Sequence, residues 1–307
     1  MTKTGMTRRH VLASAAALPL AAAASGQARA AAPMMGVAST RFNRVKLGGF
    51  EVTTILAGTR TVPDPQNIFG MNVSAEAFAE ASKAAHIPTD AAQFFFTPTL
   101  VNTGNELVLF DTGLNAEGTT AAIEQAGYTV DQIDVVVITH MHGDHIGGLM
   151  AGEAPTFPNA RYVTGAKEFD AWAAMDNDGF NTKVRPLAKQ MTMLDDGGSV
   201  ASGITAMAAF GHTPGHMTYM LESEGKQLLV AADFANHYVW SLGHPDWEVK
   251  FDMDKSAAAK TRRGILDMLA ADQVPFIGYH MPWPGTGFAE KQGEGYTYVP
   301  TSYQLML

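Results

Sequence analysis

The 307-residue sequence predicts a layered α/β sandwich. Three observations lead there. Ile133-Asp-Val-Val-Val-Ile138 is a nearly continuous β-branched run, the pattern of a strand buried on both faces. Strand-like segments occur in both halves of the chain with helical segments between them. Neither a low-complexity linker nor a block of like charge divides residues 31–307, which therefore read as one domain.

The elements follow in order. Residues 45–57 alternate around Gly48-Gly49 and read as a strand pair opening the fold, with Pro63, Asp64, Pro65 and Gly70 punctuating a loop after it. Residues 74–86 are Ala-rich behind Ser74, a good N-cap, and read as a helix. Two apolar runs flank Gly104-Asn105 within 99–110, a hairpin signal, and 117–126 reads as a helix ended by Gly127. In the second half, 204–210, 217–222 and 227–232 read as strands, 254–271 as a long helix and 274–279 as a last buried strand. The pattern alone leaves the sheet order open.

Composition excludes several kinds of chemistry. The absence of cysteine removes disulfides, thiolate nucleophiles, iron–sulfur clusters and Cys-type zinc sites. Imidazole and carboxylate must therefore hold any metal. The N-terminus carries Arg8-Arg9, then an apolar run over 11–24, then Ala28-Arg29-Ala30 as a small-x-small cleavage site. Residues 1–30 thus read as a twin-arginine-type export signal, which makes the mature protein periplasmic or secreted with no membrane association after cleavage. Four of the 21 basic residues precede position 31 and no acidic residue does, so the mature chain carries 17 against 30, a net of −13. Such a surface repels phosphate backbones and argues against nucleic-acid binding.

The chemistry enters at Thr139-His140-Met141-His142-Gly143-Asp144-His145. Three imidazoles and a carboxylate within six residues, at the end of a buried strand and followed by Gly147-Gly148, make a dense set of metal ligands. A turn at Gly143 is expected to let His140 and His142 face one ion while Asp144 and His145 face another.

This His-x-His-x-Asp-His run resembles the signature of the metallo-β-lactamase superfamily, and further landmarks follow in order: Gly211-His-Thr-Pro-Gly-His216, Ala231-Ala-Asp233 and Gly278-Tyr-His280. The resemblance implies a four-layer αββα sandwich with a dinuclear site at one edge. It assigns His140, His142 and His216 to one metal, Asp144, His145 and His280 to the other, and Asp233 as the bridge. Asp144 and Asp233 are the expected catalytic carboxylates, and His212 is expected to support its loop rather than bind metal. Asp111, in Phe110-Asp-Thr-Gly113, matches a recurrent segment and is expected to orient a ligand histidine from behind.

The implied cofactor is a pair of divalent ions per chain, zinc first, with manganese, iron or cobalt compatible with the same donors. Such a pair activates water for hydrolysis. Among branches, the sequence is similar to the methyl parathion hydrolase group in Leu47-Gly-Gly-Phe-Glu-Val-Thr53, Leu100-Val-Asn-Thr-Gly104 and Glu294-Gly-Tyr-Thr-Tyr-Val-Pro300. The resemblance implies hydrolysis of organophosphate triesters, esters or lactones, and a homodimer. Trp172 and Phe180 are expected counterparts of that group's pocket aromatics, with Phe234, His237 and Trp283 as further lining and Phe94-Phe95-Phe96 and Trp240 as candidates set against ordinary core packing. Leu114-Asn-Ala-Glu-Gly118 lacks the Phe of that group. A lactonase is the alternative, although Asn236 stands where the well-known acyl-homoserine lactonases carry Tyr. The non-enzymatic alternative is an exported protein that only binds a metal or ligand.

Overall fold

Two seven-stranded sheets stack face to face in the computed structural model, which describes residues 39–306. The expected export signal lies outside these residues. Internal contacts group the described residues from Thr40 onward as one compact unit.

The first half builds one sheet. β1 (Phe42–Leu47) and β2 (Phe50–Ile55) form the opening hairpin, and β3 (Gly58–Pro63) leaves the sheet. α1 (Ala75–Ala84) is capped by Ser74, whose hydroxyl accepts from the Ala77 N–H, as expected of an N-cap. β4 (Ala91–Phe96) pairs with β3 to make a separate two-stranded ribbon. The expected hairpin follows as β5 (Thr99–Asn102) and β6 (Leu107–Phe110), then α2 (Ala116–Gln125) and the buried β7 (Val135–Ile138). α3 (Gly143–Ile146) is a single turn, and β8 (Met150–Ala151) and β9 (Ala154–Pro155) pair briefly. β10 (Arg161–Gly165), α4 (Ala166–Ala173) and β11 (Met191–Leu194) complete this half.

The second sheet takes β12 (Ser199–Ala201), β13 (Ile204–Ala208), β14 (Met217–Ser223) and β15 (Lys226–Ala232) in sequence. α5 (Lys255–Asp272) then crosses back to β16 (Phe276–Gly278), and β17 (Thr286–Gln292) and β18 (Gly295–Pro300) close the edge. Strand order is β1-β2-β5-β6-β7-β10-β11 in one sheet and β12 through β18 in the other.

Alternation along the strands makes the layers. Val135 and Val137 join Val101, Val108 and Phe110 against Ile204, Tyr219, Leu221, Val230 and Ile277, which is the core between the sheets. Val136 and Ile138 point the other way, into a core with Ile123 of α2 and Trp172 of α4. Leu229 and Phe276 pack outward on Ile265, Leu266 and Leu269 of α5. Three cores in series define four layers, helix, sheet, sheet, helix, as the resemblance implied. A fourth core joins α1 and the β3–β4 ribbon through Phe69, Phe78, Phe94, Phe96 and Trp240.

Candidate metal centre

Strand direction concentrates the candidate ligands. β6, β7 and β10 run parallel in one sheet and β15 and β16 in the other, and the loops leaving β6, β7, β15 and β16 carry Asp111, His140 to His145, Asp233 and His280. His212 and His216 lie in the turn between β13 and β14. Close approach shapes the bed of the site: a Cβ on Gly147 would meet the Leu114 carbonyl oxygen at 2.2 Å, so only glycine lets that loop lie against α3. The turn at Gly143 needs no left-handed backbone. Gly143 instead opens α3 with open space where a side chain would stand.

Three imidazole nitrogens converge at one point. His142 Nδ1 lies 3.2 Å from His140 Nε2 and 3.0 Å from His212 Nε2. Backbone and side-chain partners fix which nitrogens face inward. Thr139 Oγ1 donates to Asp111 Oδ2 at 2.8 Å, so it accepts from the His140 Nδ1–H at 3.1 Å and leaves Nε2 with its lone pair. His212 Nδ1–H donates to Asp252 Oδ1 at 2.8 Å, and Arg262, fully buried on α5, holds the other oxygen of Asp252 at 2.8 Å. This backing carboxylate aims His212 Nε2 into the site. Burial pushes the pKa of His140 well below its ordinary value, and burial with the neighbouring His212 takes His142 down to about 3, so both rings present the neutral, ligating form.

His212 therefore takes the place that the sequence reading gave to His216. His216 is fully buried and its Nε2 accepts the Asp233 backbone N–H at 3.1 Å. With that lone pair engaged, its proton sits on Nδ1, which has no partner. The spacing of the Gly-His-Thr-Pro-Gly-His turn offers two histidines four residues apart, and only the carboxylate behind one of them, forty residues on, selects between them.

A second group is formed by Asp144, His145, Asp233 and His280, whose ligand atoms all lie within 4.8 Å of one another. His145 Nδ1–H donates to Asp111 at 2.8 Å, which sets Asp111 behind this ring, and His280 Nδ1–H donates to the Phe95 carbonyl at 2.9 Å. Their Nε2 atoms face carboxylates: His145 lies 3.5 Å from Asp233 Oδ1, and His280 lies 3.2 Å from Asp233 Oδ2 and 3.3 Å from Asp144 Oδ2. Asp233 Oδ2 is also 3.6 Å from His212 Nε2, so this one carboxylate touches both groups. Its aim comes from a local irregularity: the β15–β16 register shifts between Val230 and Ala232, and Ala232 adopts φ 48°. Asn236 then donates to Asp233 Oδ2 at 2.9 Å.

The donor set fits a pair of cations. Burial opposes charge on His145, but Asp233, Asp111 and Asp144 outweigh it and hold its pKa well above the ordinary value; the same contest takes His280 up to about 10. Asp144, whose burial is overcome by His145 and His280, falls to about 2. His145 Nε2 and Asp233 Oδ1 are nevertheless buried with no hydrogen-bond partner, which is what a cation seated between them would satisfy.

A cavity of about 390 Å³ opens onto Asp144, Asp233, His142 and His280. Its walls are Val62 and Phe94 and Phe96 of the β3–β4 ribbon, Ile68, Leu114 and Phe251, with Arg60 as the one cation. The expected pocket residues lie elsewhere. Trp172 is buried under the site, edge-on to His142 at 5.9 Å between centroids, Phe180 packs on Phe169 and Phe234 on Phe276. Each has its ring on a core face of its element. Trp283 donates to Thr40 at 3.0 Å, and His237 lines a second cavity of about 280 Å³ with Phe95 and Trp240. Asp252, Arg262 and Arg60 carried no local signal in the sequence. Only Phe94 to Phe96 did, as a run of three aromatics whose alternate members face the first cavity.

Comparison with known proteins agrees with this architecture. The family model described as the metallo-beta-lactamase superfamily matches residues 97–277. The structure is similar to AidC, a dizinc quorum-quenching lactonase solved with its product, at TM-score 0.79 and 24% identity over 85% of this chain and 97% of that one. It is also similar to the hydrolase AbOPH, at TM-score 0.80 and 21% identity over 87% of this chain and 99% of that one. A curated relative, the anti-Pycsar protein Apyc1 of Paenibacillus sp., is 41% identical over 59 residues, 19% of this chain and 23% of that protein, so the chain matches less than a quarter of that relative's length. The family match spans more than half of the chain and covers every member of both ligand groups except His280; the chain belongs to the metallo-beta-lactamase superfamily.

Proposed function

We propose that the protein is a hydrolase with two divalent ions that cleaves small neutral carboxylic esters and lactones bearing an apolar arm. The observation that carries this reading is Asp233 in contact with both ligand groups at the floor of an apolar cavity. His140, His142 and His212 would hold one ion and Asp144, His145 and His280 the other, with Asp233 shared. When bound, such a pair supplies a water acidified toward neutrality and a Lewis acid for the developing oxyanion.

The chain's own residues do the rest. Val62, Ile68, Phe94, Phe96, Leu114 and Phe251 seat an apolar arm and keep bulk water from the reacting bond. Arg60 is the one side-chain donor on the walls outside the two ligand groups, and it has no hydrogen-bond or ion-pair partner among the described residues. It would bind an oxygen of the substrate, a part that Asn236 does not play because it is buried off the cavity wall, with its amide turned to Asp233. Dizinc lactone chemistry in a protein of the same fold supports the lactone arm of the proposal. Organophosphate triesters are the second reading, favoured by three phenyl rings on the cavity wall that suit an aryl leaving group.

The test is a substrate panel on metal-replete protein: N-hexanoyl-homoserine lactone, p-nitrophenyl butyrate and methyl parathion. Turnover of the lactone or ester supports the main reading, and turnover of methyl parathion alone supports the second. Two bound ions with none of the three hydrolysed would leave only the metal-binding alternative.

A further inference from the structure

Glu168 is fully buried in the first turn of α4, and all three donors it accepts from belong to the ligand loops. Oε1 takes the backbone N–H of Met141, the residue between His140 and His142, at 2.9 Å. Oε2 takes the Thr213 hydroxyl and the Gly215 N–H, each at 2.8 Å, from the turn that begins at His212. These partners lie 27, 45 and 47 residues away in sequence, so the contacts are tertiary and not part of helix capping. The turn lies directly on the helix: a Cβ on Gly215 would meet the Glu168 backbone nitrogen at 2.1 Å. A buried carboxylate without partners would be strongly disfavoured, whereas three convergent donors make it a rigid strut.

We propose that Glu168 is a positioning residue whose carboxylate ties the His140–His142 loop to the His212 turn and so sets the spacing of those three imidazoles. The inference rests on the reading that this trio binds an ion. It is selective, because the other group is held by different partners: Asp111 on His145, the Phe95 carbonyl on His280 and the Tyr279 hydroxyl on the Asp144 carbonyl at 2.6 Å. None of these contacts passes through Glu168.

The experiment is zinc competition against a chromophoric chelator, using the full metal-loaded protein, its E168A and E168Q variants, and H212A as the reference that marks which step belongs to the trio. Wild type releases zinc in two steps. E168A weakens the step abolished in H212A by about 10- to 100-fold, the usual effect of removing an outer partner, and leaves the other step in place. E168Q keeps the shape of the side chain but turns an amide N–H₂ toward one set of donors, so it shifts the same step in the same direction by less. It carries the test should E168A not fold. Equal weakening of both steps, or unchanged release alongside a lowered melting temperature, would reduce Glu168 to a general structural role. A wild type that binds no zinc would remove the metal reading itself, and the strut with it.

Discussion

His212 and His216 stand four residues apart and face opposite tasks. One has a carboxylate behind it and a free lone pair in front; the other has given its lone pair to the Asp233 N–H. Opposite outcomes follow for their removal. His212→Ala should lower affinity for one ion by more than the roughly 10- to 100-fold cost of losing an outer partner, with the fold retained. His216→Ala leaves a buried N–H unpaired and should cost about 1–3 kcal/mol in urea unfolding, before any cavity term, while both ions stay bound. Metal counting beside unfolding curves separates the two, and a reversal of the pattern would restore the sequence assignment. His237 makes a prediction of a different kind. Its Nδ1 accepts the N–H groups of Val239 and Trp240, its ring stacks on Trp240, and burial lowers its pKa to about 3. The unfolded chain takes a proton near pH 6.5 that the folded one refuses, so stability present above 6.5 is lost as pH falls toward 3. Each unit of pH in that window costs up to about 1.4 kcal/mol. Between pH 7.5 and 5 the wild type should therefore lose about 2 kcal/mol more than His237→Gln, read from paired urea curves. A constant difference would mean that His237 does not titrate as its burial requires.

Elements place these residues, and they were unequally legible. β1, β2, β5, β6 and β7 stood out because each pairs a hydrophobic pattern with a glycine or polar turn, and Ser74 marked the start of α1. The β3–β4 ribbon did not. β3 is largely exposed and ends in Pro63, so its residues look like loop, yet its partner strand supplies two of the aromatic walls of the cavity. α5 was legible as a helix but not as part of the site. Nothing in its sequence says that Arg262 points inward to Asp252, the Phe234 carbonyl and the Pro245 carbonyl. This is a buried charge that must remain paired. Arg262→Met should cost about 3–5 kcal/mol in unfolding free energy, because it strands the Asp252 carboxylate behind His212. A loss below about 1 kcal/mol would place that pair on the scale of an exposed ion pair and undo its supporting role.

The whole molecule explains why the ligand residue types were visible before their arrangement. Clusters such as His140 to His145 are short-range and survive in one dimension. The Glu168 strut, the Asp252–Arg262 support and the sharing of Asp233 join segments brought together only when two sheets end at one edge. The acidic balance of the chain suits the same edge, where the buried carboxylates of Asp111 and Asp233 and the half-buried one of Asp144 stand among five imidazoles. Divalent cations are the charges that such a set is built to hold. The most direct test is anomalous diffraction from crystals of zinc-loaded protein, recorded at the zinc edge. Two peaks should appear, one within bonding distance of His140, His142 and His212, the other of Asp144, His145 and His280, with Asp233 in contact with both. A peak bound by His216, a single peak, or none within reach of Asp233 would contradict the account.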